Sequence, residues 1–214
     1  MIFDLDGTLV PTEPLYSDAV CQSLSELGCQ FTASDYCRHV GVPVRDILAR
    51  QGLPVALALR GTRRARELFR QRIGSLQPVP GVRGFLRQTT RLPRAVATGC
   101  DRDTASVLLR AMGLLEFFDA VVTVDDVWPE PGKPAPAVYR LAAERLRVPA
   151  AHCWAFEDSL PGIAAAGRAG MTVVGLSTTL APSALEGAHH VIADFTDQRL
   201  LDWCVPAAGG VNAG

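Results

Sequence analysis

Residues 1–10 read MIFDLDGTLV. Residues 1–5 are largely apolar and predict a short buried strand that runs into a D-x-D-G turn. Asp4 and Asp6 therefore lie at the carboxyl end of that strand. One of two such carboxylates can attack an electrophile while the other gives and takes a proton. The alternative is a pair of aspartates that only caps the turn.

Strand-like and helix-like segments alternate in the second part of the chain. The predicted strands are residues 95–97, 121–124, 153–156, 172–176 and 191–192, and the predicted helices are residues 104–112, 137–147 and 160–169. This alternation is typical of an α/β fold with a Rossmann-like parallel sheet. Ligands of such folds bind outside the carboxyl ends of the strands.

The sequence pattern of residues 12–77, which we call the helical insert, predicts helices and no strand. The predicted helices are residues 15–27, 34–39, 44–51 and 55–72. The last of them carries six arginines that we expect on a solvated face, namely Arg60, Arg63, Arg64, Arg66, Arg70 and Arg72. A turn at residues 77–81 marks the return to the sheet. We therefore expect an all-α cap domain, residues 12–77, inserted into an α/β core of residues 1–11 and 78–214.

The ends of the predicted strands bring polar residues toward one crevice. These residues are Asp4 and Asp6, Thr98 and Gly99, Asp125 and Asp126, and Glu157 and Asp158. Lys133, in the loop 129–136, is the only lysine among 21 basic residues, so it is a candidate for a compact charge that a guanidinium cannot supply. The alternatives are a helix N-cap for Thr98, and acids that face a helix dipole for Glu157 and Asp158.

These residue types indicate phosphoryl transfer. Carboxylates from two strand ends form an oxygen-rich site of the kind that Mg²⁺ prefers. The hydroxyl of Thr98, the backbone N–H of Gly99 and the ammonium of Lys133 suit an anion. A divalent cation, an anion site and a carboxylate nucleophile together predict a reaction through an aspartyl phosphate.

Four segments resemble the four motifs of the haloacid dehalogenase superfamily, in the same order. They are Asp4-Leu5-Asp6-Gly7-Thr8, Thr98-Gly99, Gly132-Lys133-Pro134-Ala135-Pro136 and Phe156-Glu157-Asp158-Ser159. With a helical insert after the first motif, the chain is similar to the β-phosphoglucomutase and phosphoglycolate phosphatase-like branch. The resemblance covers nearly the whole chain and implies a Mg²⁺-dependent phosphatase.

The resemblance also implies a role for each motif residue. Asp4 is the expected nucleophile, and Asp6 is the residue that protonates the leaving oxygen and then deprotonates water. Lys133 is expected to neutralise Asp4 and the phosphoryl oxygens, and Thr98 and Gly99 to hold the transferring group. Mg²⁺ is expected to be bound by Asp4, by the backbone carbonyl of Asp6 and by Asp158. Glu157 is expected either to bind the ion directly or to hold a group that does.

The implied substrate is a small phosphorylated metabolite such as a sugar phosphate, which Tyr16 and Arg45 of the insert are expected to contact. One alternative is a phosphosugar mutase of the β-phosphoglucomutase type. Mutases resemble this chain but carry a histidine at the position of Tyr16 and an arginine at that of Val44, and both departures favour hydrolysis. A second alternative is a non-catalytic relative that only binds ligand, which Pro11 supports because it replaces a usual aspartate.

Composition excludes several other classes of protein. The 214 residues have a formal net charge of −1, which gives no basic excess for binding nucleic acid. No run of about 18 apolar residues is present, so we expect no membrane span. The first residues do not form a signal-peptide pattern, and the six cysteines form no C-x-x-C pair. We therefore expect a cytoplasmic protein with free thiols. We also expect it to be a monomer.

Overall fold

The computed structural model describes residues 1–37, 47, 52 and 54–204. At its centre is a six-stranded parallel sheet with the strand order β3-β2-β1-β4-β5-β6. The strands are β1 (Ile2–Phe3), β2 (Ala95–Ala97), β3 (Ala120–Val122), β4 (Trp154–Glu157), β5 (Thr172–Leu176) and β6 (His190–Ile192). Because β1 lies between β2 and β4, the segment that follows it occupies the middle of the sheet's carboxyl edge.

Neighbouring residues of a strand face opposite sides of the sheet, and each side has its own core. Phe3 of β1 pairs with Phe156 of β4 in the first core, whereas Ile2 pairs with Ala155 in the second. The rings of Phe3 and Phe156 stack, with centroids 4.5 Å apart. The backbone N–H of Asp4 then donates to the carbonyl of Phe156 at 2.9 Å. This register places the residue after β1 beside the end of β4.

Helices cover both sides of the sheet. The helices in the described part of the chain are α1 (Glu13–Glu26), α2 (Ala33–Cys37), α3 (Val55–Arg72), α4 (Val82–Gln88), α5 (Arg102–Ala111), α6 (Val124–Val127), α7 (Ala137–Leu146), α8 (Leu160–Arg168) and α9 (Arg199–Cys204). Residues of α4, α5 and α9 belong to the core that contains Phe3. Residues of α7 and α8 belong to the core that contains Ile2. The prediction of an α/β fold with a Rossmann-like parallel sheet is confirmed.

The helical insert contains helices and no strand among its described residues. Its helices α1 and α3 pack together over a third core that includes Val20, Leu24 and Phe31. Ile47 is helical and buried in the same core, but most of the predicted helix 44–51 lies outside the described residues. The division of the chain into a core and a cap domain stays a prediction.

The predicted elements differ from the observed ones mainly at their ends. β1 covers two residues rather than five, because the chain bends at Leu5, after the Asp4 N–H has bonded to β4. Val124 begins a helix instead of ending a strand, since Thr123 and Asp126 form a capping box there. The short helices α4, α6 and α9, of four to seven residues, were not predicted. Among the described helices, none combines the length and apolar character that a membrane span requires.

Candidate active site

Lys133 connects the first and fourth motifs. Its Nζ lies 2.5 Å from Asp4 Oδ1 and 2.5 Å from Glu157 Oε1. The hydroxyl of Tyr139, on α7, donates to the same Glu157 oxygen at 2.7 Å. Asp4 is only 6% exposed and Glu157 is fully buried, so water screens these charges little. The structure thus brings together three of the predicted site residues.

Asp4, Glu157 and Asp158 form a buried acidic cluster. Each offers one carboxylate oxygen, and the three oxygens lie within 4.8 Å of one another. Burial raises the pKa of Asp4, and the charges of Glu157 and Asp158 raise it further against the opposing effect of Lys133. Burial and the Glu157 charge likewise raise the pKa of Asp158 to about 7. Three acids around one ammonium are a setting that a further cation would stabilise.

The pKa of Lys133 moves in the opposite direction from that of a lone buried lysine. Burial would lower it, but the charges of Asp4 and Glu157 outweigh burial and raise the pKa of Lys133. Lys133 therefore remains an ammonium throughout the neutral range. A permanent positive charge at this point suits the binding of phosphoryl oxygens.

Both oxygens of Glu157 are engaged by the protein. Oε1 receives Lys133 and Tyr139, as described above. Oε2 accepts from the backbone N–H groups of Asp158 and Ser159 at 3.2 and 3.3 Å, and from Ser159 Oγ at 3.0 Å. Gly162 is needed at the start of α8 because a Cβ there would overlap this carboxylate. Glu157 therefore fixes both Lys133 and the two residues before α8, whereas the N-cap of that helix is Ser159.

Asp158 is held by two threonines. Thr8 Oγ1 donates to its Oδ1 at 3.0 Å, and Thr179 Oγ1 donates to its Oδ2. Gly7 has φ +77°, and a Cβ at this position would overlap both Asp158 and Thr179. Sequence reasoning missed Thr179, although it follows the carboxyl end of β5 and the rule used for the other strands would have found it.

Asp6 lies in a different environment from the acidic cluster. Its Oδ1 accepts from Thr12 Oγ1 at 2.8 Å, and its Oδ2 accepts from Cys100 Sγ at 2.8 Å. Burial and the charge of Asp6 raise the pKa of the Cys100 thiol well above its ordinary value. The Asp6 side chain is therefore not one of the three carboxylates of the acidic cluster, and its partners are Thr12 and Cys100.

Thr98 and Gly99 lie where β2 ends. Thr98 is fully buried, and its Oγ1 accepts from the backbone N–H of Cys100 at 3.0 Å. Gly99 is exposed and has open space around its Cα. The cap of α5 is Asp101, whose Oδ1 accepts from the Thr104 N–H at 2.8 Å. The alternative that Thr98 is the helix N-cap is therefore wrong.

Asp125 and Asp126 do not join the crevice, and the expectation that they would is wrong. Asp126 completes the capping box with Thr123 and forms ion pairs with Arg102 at 2.7 Å and Arg145 at 2.6 Å. Asp125 is exposed and accepts from the Arg102 N–H at 2.8 Å. Because Val124 begins a helix, both side chains serve that helix and the surface beside it.

Tyr16 packs against both the core that contains Phe3 and the third core, and two arginines of α3 reach the start of α5. The ring of Tyr16 packs edge to face on Phe69, with centroids 5.5 Å apart, and burial raises the pKa of Tyr16 to about 12. Arg70 lies 3.0 Å and Arg66 lies 3.6 Å from the Asp101 carboxylate. Both arginines are exposed as predicted, but they are also paired. The predicted residue Arg45 lies outside the described residues.

Comparison with known proteins identifies the family. The model of the haloacid dehalogenase-like hydrolases matches residues 1–170. The chain is 35% identical over 182 residues to the Phosphorylated carbohydrates phosphatase of Thermotoga maritima, covering 80% of this chain and 81% of that protein. It is 36% identical over 181 residues to the Fructose-1-phosphate phosphatase YqaB of Escherichia coli, covering 81% of this chain and 94% of that one.

A solved structure agrees with this assignment. The putative beta-phosphoglucomutase from Thermotoga maritima superposes with a TM-score of 0.75 at 31% identity, over 94% of this chain and 97% of that one. The chain belongs to the haloacid dehalogenase-like hydrolase family, and the prediction that it is an enzyme of this family is confirmed.

Proposed function

We propose that the chain is a Mg²⁺-dependent phosphatase that hydrolyses a small phosphorylated carbohydrate through an aspartyl phosphate on Asp4. One observation carries this proposal. The buried carboxylate of Asp4 contacts the ammonium of Lys133 and lies within 4.8 Å of the carboxylates of Glu157 and Asp158. A carboxylate nucleophile, a fixed positive charge and an oxygen-rich cation site are the three parts that this reaction needs.

The residues present fit a magnesium ion. The acidic cluster offers hard oxygen ligands and carries more negative than positive charge. Asp4, Asp158 and the backbone carbonyl of Asp6 would hold the ion. Glu157 would support the site from behind, because both of its oxygens are already engaged by Lys133, Tyr139 and the start of α8. When bound, Mg²⁺ supplies positive charge that stabilises the phosphoryl oxygens.

The two chemical steps divide between Asp4 and Asp6. In the first, Asp4 attacks phosphorus, the bond from phosphorus to the ester oxygen breaks, and Asp6 gives its proton to that leaving oxygen. In the second, a water molecule attacks phosphorus, its proton passes to Asp6, and the bond to Asp4 breaks to release inorganic phosphate. Asp6 thus ends each cycle in the protonation state in which it began.

The transferring phosphoryl group would be held by Lys133, Thr98 and Gly99. Lys133 supports this role because its pKa is raised by Asp4 and Glu157, so its ammonium group stays charged at neutral pH. Gly99 is exposed at the end of β2, so its backbone N–H is a suitable donor to an anion. In many phosphoryl-transfer enzymes, charges placed in this way account for most of the rate enhancement over the uncatalysed reaction.

The substrate class is supported by the named relatives. One acts on phosphorylated carbohydrates by its name, and another on fructose 1-phosphate. We propose phosphorylated carbohydrates as the substrate class of this chain and name no single sugar. The helical insert would act as a cap that covers the crevice and selects the sugar, with Tyr16 and Arg45 as its candidate contacts.

The mutase alternative has less support from the site. A mutase of the β-phosphoglucomutase type has a histidine where this chain has Tyr16, and burial raises the pKa of Tyr16 to about 12. The phenol therefore keeps its proton at neutral pH and cannot replace a histidine that assists proton transfer. Hydrolysis, in which Asp6 works with water, needs no such helper.

The test is the release of inorganic phosphate from a panel of sugar phosphates, measured with MgCl₂ and with EDTA. We expect metal-dependent release from a subset of the panel and no requirement for a sugar bisphosphate. A requirement for the bisphosphate would favour the mutase. No release from any sugar phosphate or aryl phosphate would favour the non-catalytic alternative.

A further inference from the structure

Both carboxylate oxygens of Asp6 accept a hydrogen bond from outside the acidic cluster. Thr12, at the entry to the helical insert, donates to Oδ1 at 2.8 Å. Cys100, between β2 and α5, donates to Oδ2 through its Sγ at 2.8 Å. The carboxylate is therefore fixed from two different segments of the chain, one on each oxygen.

The Cys100 side chain is itself well placed to act as a fixed donor. Its backbone N–H donates to Thr98 Oγ1 at 3.0 Å, and its side chain packs against the core that contains Phe3. An ordinary cysteine is a thiol at neutral pH, so its S–H has a proton to donate. A thiol is also a weak donor, so it can orient a carboxylate that must still exchange a proton.

We propose that Cys100 is a positioning residue that aims the carboxyl group of Asp6 at the leaving oxygen of the substrate. Proton transfer requires an Asp6 carboxyl oxygen and the leaving oxygen of the substrate to approach within hydrogen-bond distance, about 2.6–3.2 Å. Thr12 alone fixes one oxygen and leaves the carboxyl group free to turn about that bond. This inference rests on the proposed phosphatase function and adds a group that the motif residues do not include.

The test uses the dependence of the rate on the leaving group, because that dependence reports on proton donation. The probes are 4-nitrophenyl phosphate, whose leaving anion is stable without a proton, and phenyl phosphate, whose leaving anion is more basic. For Cys100→Ala we expect kcat/KM to fall about tenfold with phenyl phosphate and less than about threefold with 4-nitrophenyl phosphate. Cys100→Ser keeps a donor, so it should restore most of the loss on phenyl phosphate.

Cys29→Ala is the matched control. Cys29 is also half-buried, but its Sγ is 3.9 Å from the Leu27 carbonyl, and the side chain packs against the third core, within the helical insert. It should leave both rates unchanged. An equal loss on both esters by Cys100→Ala would show a structural role only and would overturn the inference, as would an unchanged or increased rate on phenyl phosphate. If the unmodified enzyme releases phosphate with Mg²⁺ from neither ester nor any sugar phosphate, the proposed function itself fails, and the inference fails with it.

Discussion

Lys133 Nζ lies 2.5 Å from Asp4 Oδ1, although the two residues are 129 positions apart in the chain. Asp4 follows the central strand β1, and Lys133 comes from the loop before α7. Glu157 accepts from the same ammonium and fixes its direction. The lone lysine of the sequence is therefore held against the proposed nucleophile by the fold as a whole.

Replacement of the proposed nucleophile should separate activity from stability. Asp4→Asn changes little volume and removes a buried negative charge from a crowded acidic cluster. We expect phosphate release to fall by about a thousandfold or more, because the amide cannot form the phosphoenzyme. The thermal unfolding midpoint should be no lower than that of the unmodified protein. Near-normal turnover with free Mg²⁺ present would rule out the mechanism.

The ammonium of Lys133 should not be replaceable by a guanidinium. Lys133 is confined between Asp4, Glu157 and Tyr139, and a planar fork cannot occupy that space in the same way. We expect Lys133→Arg to lower kcat by about a hundredfold or more, measured as metal-dependent phosphate release.

The control for this change is the reverse exchange at the surface. Arg64→Lys alters a partly exposed ion pair with Glu26 on the helical insert. It should leave kcat unchanged, since surface ion pairs contribute little. If Lys133→Arg behaved like this control, the position would require positive charge only and no particular shape.

Thr179 should tune the binding of magnesium. Thr179→Val keeps the shape of the side chain but removes the donor to Asp158 Oδ2, while Thr8 still holds Oδ1. We expect the Mg²⁺ concentration for half-maximal activity to rise about tenfold, the usual size for the loss of a group that orients a metal ligand. Thr196→Val is the control, because Thr196 bonds Asp194 at the surface. An unchanged requirement for Mg²⁺ would show that Thr8 alone orients Asp158.

The carboxylate of Asp126 should stabilise the folded protein at neutral pH and lose this effect in acid. Burial alone would raise the pKa of Asp126, but Arg145, Thr123 and Arg102 outweigh it and hold the pKa well below its usual range. A lowered pKa means that the folded state binds this proton less readily than the unfolded chain does. The stabilisation is therefore present above the unfolded pKa of about 4 and is lost as the pH falls below it.

The measurement is urea unfolding of Asp126→Asn and the unmodified protein between pH 3 and pH 7. We expect the variant to be less stable by about 1–2 kcal/mol at pH 7, with a difference that shrinks below about pH 4. Asp18→Asn, at an exposed position of α1, should show no such trend. A difference that stays constant with pH would mean that the charge of Asp126 is not what stabilises the fold.

Most of the sheet and of the site could be predicted because their signals are local. The strands Ala95–Ala97 and Thr172–Leu176 have the predicted bounds because they are short apolar runs, and the helix Val55–Arg72 has them because it is a long run of uniform periodicity. The predicted convergence at the strand ends follows from the parallel topology, and Asp4, Lys133, Glu157 and Asp158 do meet there. The roles of these residues stay a prediction.

The remaining features depend on contacts that a single sequence does not display. Asp125 and Asp126 had the right position after a strand, but a capping box turned the chain into a helix one residue earlier. Arg66 and Arg70 could not be paired with Asp101 from the sequence, because that contact requires the placement of the insert against α5. The thiol of Cys100 carries no motif, so only its distance to Asp6 reveals it.

The contacts that build the site join segments very distant in the chain. Thr8 and Asp158 are 150 positions apart, and Gly7 and Thr178, whose hydroxyl donates to the Gly7 carbonyl, are 171 apart. Closing such long stretches of chain is slow compared with forming a helix. During refolding from urea, helical signal should therefore return before catalytic activity. Catalytic activity should therefore report on the completely assembled sheet more sensitively than helical content does.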